Sequence, residues 1–113
     1  MSKPKKVTIR RKESDIQLSI LHYLKAIGAV CGKTKTMGVK RGRFFCFDPY
    51  TFRGFPDLTV FYKAKLYFIE VKGEKGKQSD EQKLFEQEAI KAGITYILAR
   101  DVEDVSKVLQ SLH

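Results

Sequence analysis

The chain has 113 residues, of which 42% are hydrophobic, and its formal net charge is +9 at pH 7 from 22 basic and 13 acidic residues. This length suits one domain with a core of modest size. No apolar run approaches the roughly 20 residues that a membrane-spanning helix needs, and no apolar segment follows the basic N-terminus. We therefore expect neither a membrane helix nor a secretory signal, and the positive charge favours nucleic acid as a partner.

The N-terminal part of the chain is predicted to be a basic arm followed by a helix. Residues 1–12 hold six basic side chains and few apolar ones, so we expect a mobile arm, and residues 13–113 are predicted to form one domain. In residues 13–28 the apolar side chains recur at helical spacing. Ser14 and Gln17 predict a capping box at the start of this helix. The apolar residues are Ile16, Ile20, Leu24 and Ile27.

The rest of the chain alternates strand patterns with two further helices. The predicted elements are strands at 29–36 and 43–48, a hairpin within 54–73, a helix at 79–93, a strand at 95–99 and a helix at 101–112. The resulting order is α-β-β-β-β-α-β-α. Ser79 as N-cap and Gln82 at the third helical position predict how the second helix begins. Both faces of the hairpin are apolar near its turn, so helices should cover both sides of the sheet in an α/β fold.

The predicted hairpin places two carboxylates opposite each other. If the turn is centred on Lys63 and Ala64, each residue faces the partner whose number sums with its own to 127, and Asp57 faces Glu70. Directly opposed residues have β-carbons about 4.5–5.5 Å apart. Lys72, two residues beyond Glu70, points to the same face.

This pair of acids has a catalytic and a structural interpretation. Two carboxylates this close repel each other unless a cation lies between them, and Mg²⁺ suits the pair because it binds carboxylate oxygens and keeps several waters. Lys72 could then orient or deprotonate an attacking water. In the structural interpretation, Glu70 and Lys72 form a salt bridge and Asp57 only begins a strand after Pro56. The spacing alone does not favour either the catalytic or the structural interpretation.

Two helices carry polar side chains that could reach the acid pair. Glu13 lies on the side of its helix that holds Ile16, and Gln82 shares a face with Phe85. Because polar groups on core-facing sides are costly without partners, we expect Glu13 and Gln82 to converge on the acid pair. Each has a simpler alternative, which is a frayed surface position for Glu13 and a capping-box contact with Ser79 for Gln82.

Four short blocks of sequence, taken in order, resemble the virus-type replication-repair nuclease (VRR-NUC) domain of the PD-(D/E)XK nuclease superfamily. The blocks are Glu13 with Ile16 and Gln17, GFPDL at 54–58, IEVK at 69–72 and SDEQ at 79–82. They extend across most of the chain after the basic arm, and no catalytic position of the family is lost. The resemblance implies a restriction-endonuclease-like core with a mixed β-sheet flanked by helices on both faces.

The resemblance also implies a DNA endonuclease that depends on Mg²⁺ or Mn²⁺ and uses no small-molecule cofactor. The positions that match metal ligands are Asp57, Glu70, the backbone carbonyl of Val71, and Glu13 directly or through water. Lys72 matches the catalytic lysine of the superfamily, and Gln82 matches a glutamine that positions the site or the DNA backbone. Stand-alone members of this size resemble Holliday-junction resolvases, which are expected to act as homodimers on branched DNA in the cytoplasm of bacteria or phage-infected cells.

Basic and aromatic side chains surround the sequence that leads to Asp57. The candidate phosphate contacts are Lys33, Lys35, Lys40, Arg41, Arg43 and Arg53, and their alternative role is solubility. The aromatic residues are more than one core face can hide, so some could stack on unpaired bases or support a dimer, although core packing is the default. They are Phe44, Phe45, Phe47, Tyr50, Phe52 and Phe55.

Two classes of function follow from these patterns. The leading hypothesis is a structure-selective nuclease for four-way junctions, with a flap or nicking nuclease as a variant of it. The rival is a non-catalytic nucleic-acid-binding module, which the net charge supports equally well. The acid pair favours the nuclease, because a pure binder gains nothing from carboxylates beside phosphates.

Overall fold

The fold is described from a computed structural model, which covers residues 12–34, 50 and 52–111. Its elements are α1 (Glu13–Ala26), β1 (Val30–Lys33), β2 (Leu58–Tyr62), β3 (Lys65–Val71), α2 (Asp80–Lys91), β4 (Thr95–Ala99) and α3 (Val102–Ser111). The strand predicted at 43–48 and residues 1–11 of the predicted arm lie outside the described residues. In the described part, no helix is long and apolar enough to cross a membrane.

Within the described residues, four strands form one mixed sheet in the order β1-β2-β3-β4. The β1–β2 and β2–β3 pairs are antiparallel, and β3–β4 is parallel. The predicted hairpin register is confirmed. Leu58 pairs with Ile69, and the residue numbers of each further pair, up to Tyr62 with Lys65, also sum to 127. Lys63 and Ala64 both have positive φ, at 49° and 62°, as in the tight turns whose twist matches that of paired strands.

Helices cover both faces of the sheet, as predicted. On one face, α1 and α3 enclose an aliphatic core that includes Leu58, Ile69 and Val71. On the other face, Phe85 of α2 packs with Phe68 of β3. Adjacent residues of a strand point to opposite faces, so β3 contributes to both layers.

The predicted helix ends are confirmed for α2 and corrected for α1. Ser79 caps α2 with the complete reciprocal bonding of a capping box. The predicted box of Ser14 and Gln17 is wrong, because α1 already begins at Glu13 with Lys12 as an extended N-cap that makes no side-chain capping bond. Ser14 is therefore inside the first helical turn, where its hydroxyl lacks the geometry of a cap.

Candidate active site

The end of the β2–β3 hairpin opposite the turn holds a buried carboxylate. Glu70 is 1% exposed, and its Oε1 accepts a hydrogen bond of 2.9 Å from Nε2 of Gln82. The Nζ of Lys72 lies 3.6 Å from the same oxygen, with its side chain only 13% exposed. A carboxylate withdrawn this far from water needs such partners, since the effective cost of burying an ion is several kcal/mol.

Gln82 is positioned by the helix cap as well as by Glu70. Its Oε1 accepts from the backbone N–H of Ser79 at 2.9 Å, and the Ser79 hydroxyl accepts from the backbone N–H of Gln82 at 3.2 Å. The amide oxygen therefore serves the capping box while the amide nitrogen serves the carboxylate. The sequence offered two alternative contacts for Gln82, one with the acid pair and one with Ser79, and the structure contains both.

Asp57 lies immediately before β2, beside the strand that carries Glu70. It is half-buried, and its Oδ2 accepts a 2.8 Å hydrogen bond from the backbone N–H of Val71. Extending the β2–β3 register by one residue places Asp57 opposite Glu70, as the sequence predicts. The two acidic residues therefore sit at the same end of the hairpin.

Gly54 lets the segment before Asp57 approach the start of α2. Its φ is +69°, and a β-carbon at this position would lie 2.3 Å from the carbonyl oxygen of Glu81. Only glycine adopts such a conformation readily and tolerates this backbone contact. The contact brings the strand that follows Asp57 and the helix that carries Gln82 together.

Glu13 lies at the edge of the site rather than in the core. It is exposed, and its Oε1 accepts a hydrogen bond of 3.3 Å from the backbone N–H of Gly73, the residue after Lys72. The prediction that Glu13 packs inward with Ile16 is wrong, because Glu13 is the first residue of α1 and faces the loop that follows β3. It is nevertheless next to the segment that carries Lys72.

Tyr96 of β4 is a polar neighbour that the sequence did not single out. Burial, together with the negative charge of Glu70, raises the pKa of the Tyr96 phenol well above its usual range. The hydroxyl therefore keeps its proton, and it accepts a hydrogen bond of 3.4 Å from Nε2 of Gln78. Its position in an ordinary buried-strand pattern gave no signal that it would lie near a carboxylate.

The structure describes two of the six residues predicted to contact DNA. Lys33 is exposed on β1, and Arg53 is exposed with Nη1 3.9 Å from Oε1 of Glu81. The other four lie outside the described residues, namely Lys35, Lys40, Arg41 and Arg43. The roles of all six remain predictions.

The aromatic residues divide between packing and exposure. Phe55 packs against Phe68 and Phe85, with ring centroids 5.3 and 5.1 Å away. Tyr50 and Phe52 are 92% and 70% exposed, although the Phe52 ring also packs against Phe55 with centroids 5.2 Å apart. Phe44, Phe45 and Phe47 lie outside the described residues, so the excess of aromatic side chains at the surface is seen here at two positions.

The donor set of the site suits a hard divalent cation. Within residues 12–34, 50 and 52–111, no group of three or more His, Cys, Asp or Glu side chains is placed to hold a metal ion. Mg²⁺ does not require one, because it is commonly bound by one or two carboxylates together with waters and phosphate oxygens. Asp57 and Glu70 supply two carboxylates at one end of the hairpin, where the carbonyl of Val71 also lies.

Comparison with known proteins connects this arrangement to one fold. No family model and no curated protein matches the sequence. A solved structure described as a VRR_NUC domain superimposes with a TM-score of 0.66 over 89% of this chain and 97% of its own, at 22% sequence identity. The chain has the fold of that VRR_NUC domain. The fold class predicted from the sequence is confirmed.

Proposed function

We propose that the chain is a divalent-metal-dependent nuclease of the PD-(D/E)XK type. The observation that carries the proposal is Glu70, a carboxylate 1% exposed that contacts both Lys72 and Gln82 at the end of the hairpin where Asp57 lies. Buried charge of this kind contributes little to stability compared with apolar packing. Its presence at this end of the hairpin in a VRR_NUC-like fold favours a catalytic role over a purely structural one.

The acid pair would hold the metal. Asp57 and Glu70 provide carboxylate oxygens, the carbonyl of Val71 is the third candidate ligand, and Glu13 would act directly or through a water from the neighbouring helix. When bound, Mg²⁺ or Mn²⁺ would polarise the scissile phosphate and lower the pKa of a water. This assignment uses no small-molecule cofactor.

The remaining side chains would act on the phosphate and on the position of the acids. The Nζ of Lys72 lies beside Glu70 and can hydrogen-bond a phosphate oxygen or the attacking water, where charge develops. Gln82 fixes one oxygen of Glu70 through a side chain that is itself fixed by the helix cap. The rotamer of the buried acid is thus set before substrate arrives.

The proposed substrate is DNA, and branched DNA in particular. A net charge of +9 favours binding to phosphate backbones, and Lys33 and Arg53 are exposed candidates for such contacts. Four-way junctions are the proposed preference. A homodimer would present two equal sites to a twofold-symmetric junction. Such an enzyme would act in the cytoplasm of a bacterial or phage-infected cell.

Cleavage assays with labelled four-way junctions, flaps, splayed arms and linear duplex test this function. With Mg²⁺ or Mn²⁺ we expect cutting of branched DNA that EDTA abolishes. Asp57→Asn, Glu70→Gln and Lys72→Ala should each lose cutting yet still bind DNA. Asp15→Asn and Glu103→Gln are matched controls, because they remove exposed helical charges and should cut normally.

Three outcomes would change the assignment. Undiminished cutting by Asp57→Asn and Glu70→Gln would refute the active site. Tight DNA binding without cutting in any metal would favour the non-catalytic binding module. A monomer mass near 13.0 kDa by light scattering, with a preference for single flaps, would replace the junction resolvase by a flap nuclease.

A further inference from the structure

Arg100, the residue after β4, binds the loop that follows Lys72. Its Nη1 donates to the backbone carbonyls of Gly73 and Glu74, and its Nη2 donates to the carbonyl of Gly76 at 2.9 Å. All three acceptors are neutral backbone groups within four residues of one another. A planar guanidinium suits this task, because its donors are fixed relative to each other.

The loop at 73–76 connects Arg100 to the candidate active site. It begins directly after Lys72, and the backbone N–H of Gly73 donates to Glu13. A β-carbon at Gly76 would lie 3.1 Å from Oε1 of Glu13 and 3.3 Å from the β-carbon of Lys72. The loop therefore packs against both side chains, and its conformation constrains where each one stands.

Arg100 is itself fixed to the body of the domain. Its backbone N–H donates to Oδ2 of Asp104 at 2.8 Å, in the first turn of α3. That helix is anchored in the core by Val105 and Leu109, which are 0% and 2% exposed. On the other side, the backbone N–H of Lys72 donates to the carbonyl of Ala99, the residue before Arg100. The guanidinium of Arg100 thus connects the 73–76 loop to α3, which is anchored in the core.

We propose that Arg100 is a positioning residue of the active site, which holds the 73–76 loop so that Lys72 and Glu13 keep their places beside the acid pair. The inference rests on the proposed nuclease function, and it adds a residue from outside the four sequence blocks of the site. The role depends on the shape of the guanidinium and its donors, rather than on its charge alone.

Two substitutions separate the shape of the side chain from its charge. Arg100→Lys keeps the positive charge but cannot bridge three carbonyls with one compact ammonium group. Arg100→Gln removes the charge as well. Lys107→Gln is the control, because it removes one exposed positive charge from α3 without touching the loop.

The readouts are single-turnover cutting, DNA affinity without cutting, and loop accessibility. With saturating enzyme, Arg100→Lys should cut about tenfold to a hundredfold more slowly, in line with the cost of a small misplacement of catalytic groups. Its affinity for DNA in Ca²⁺ should match the wild type. Limited trypsin digestion should cleave after Lys75 or Lys77, both exposed, faster in both Arg100 variants than in the wild type and Lys107→Gln.

Several results would overturn the inference. Wild-type cutting by Arg100→Lys would show that the loop contacts are dispensable for positioning. Normal trypsin resistance of both Arg100 variants would show that the loop holds without the guanidinium. Weaker DNA binding by Arg100→Gln, with Arg100→Lys normal in every assay, would make Arg100 a phosphate contact instead. If the nuclease proposal fails, the wild type itself does not cut DNA. If only the Arg100 inference fails, the wild type cuts, and the failure is seen in the comparison of the variants with it.

Discussion

Tyr67, Ile69 and Val71 of β3 are buried in the aliphatic core shared with α1 and α3, whereas Phe68 and Glu70 face α2 on the opposite side of the same strand. All five are less than 9% exposed, so burial alone does not distinguish the two faces. The first face is apolar throughout, but the second ends in a carboxylate that needs Gln82 and Lys72. The difference indicates that the face toward α1 and α3 stabilises the fold, whereas the face toward α2 carries a polar site at a cost in stability.

The largest expected effect on stability is on the aliphatic face. Ile69 is 0% exposed, and Ile69→Ala should lower the free energy of unfolding by about 2–5 kcal/mol through lost burial and a cavity. Urea denaturation measures this change. Activity per folded molecule should be retained at a temperature where the variant is folded. A stable Ile69→Ala variant with no activity would contradict the division between the two faces.

A smaller loss of stability is expected where the site segment meets α2. Gly54→Ala should cost about 2 kcal/mol, because an L-residue at φ +69° is strained and its β-carbon meets the carbonyl of Glu81. Gly32→Ala is the matched control, since Gly32 has open space around the added β-carbon and no positive φ. Thermal denaturation should separate the two variants. Equal melting temperatures would show that the Gly54 contact does not constrain the site.

The smallest expected change in stability accompanies the loss of function. Glu70→Gln keeps the shape of the side chain and an acceptor for Gln82 but removes the buried charge. Its free energy of unfolding should lie within about 1 kcal/mol of the wild-type value or above it, because the cost of burying the charge offsets the lost pairing with Lys72.

Urea denaturation of Glu70→Gln alongside the control Glu103→Gln measures this difference, and the cleavage assay shows the lost cutting. A loss of stability as large as that of Ile69→Ala would make Glu70 a structural residue. The salt-bridge interpretation of Glu70 and Lys72 would then be sufficient.

Local patterns predicted the parts of the fold that depend on neighbouring residues. The register of the hairpin followed from alternation along two strands and a turn at Lys63 and Ala64, and the structure has that register. The cap of α2 followed from Ser79 and Gln82, which are three residues apart. The capping box predicted for Ser14 and Gln17 was wrong, because α1 already begins at Glu13 and Lys12 is its N-cap.

The sequence by itself determined that Asp57 and Glu70 share one end of a hairpin, because strand periodicity and one turn are enough to pair them. Only the tertiary structure decided what surrounds that pair. It brought the amide of Gln82 to Glu70, left Glu13 exposed at the edge, and attached Arg100 to the loop after Lys72. These contacts join residues 12 to 60 positions apart along the chain, and they depend on how helices pack on a sheet, which periodicity within a single element does not specify.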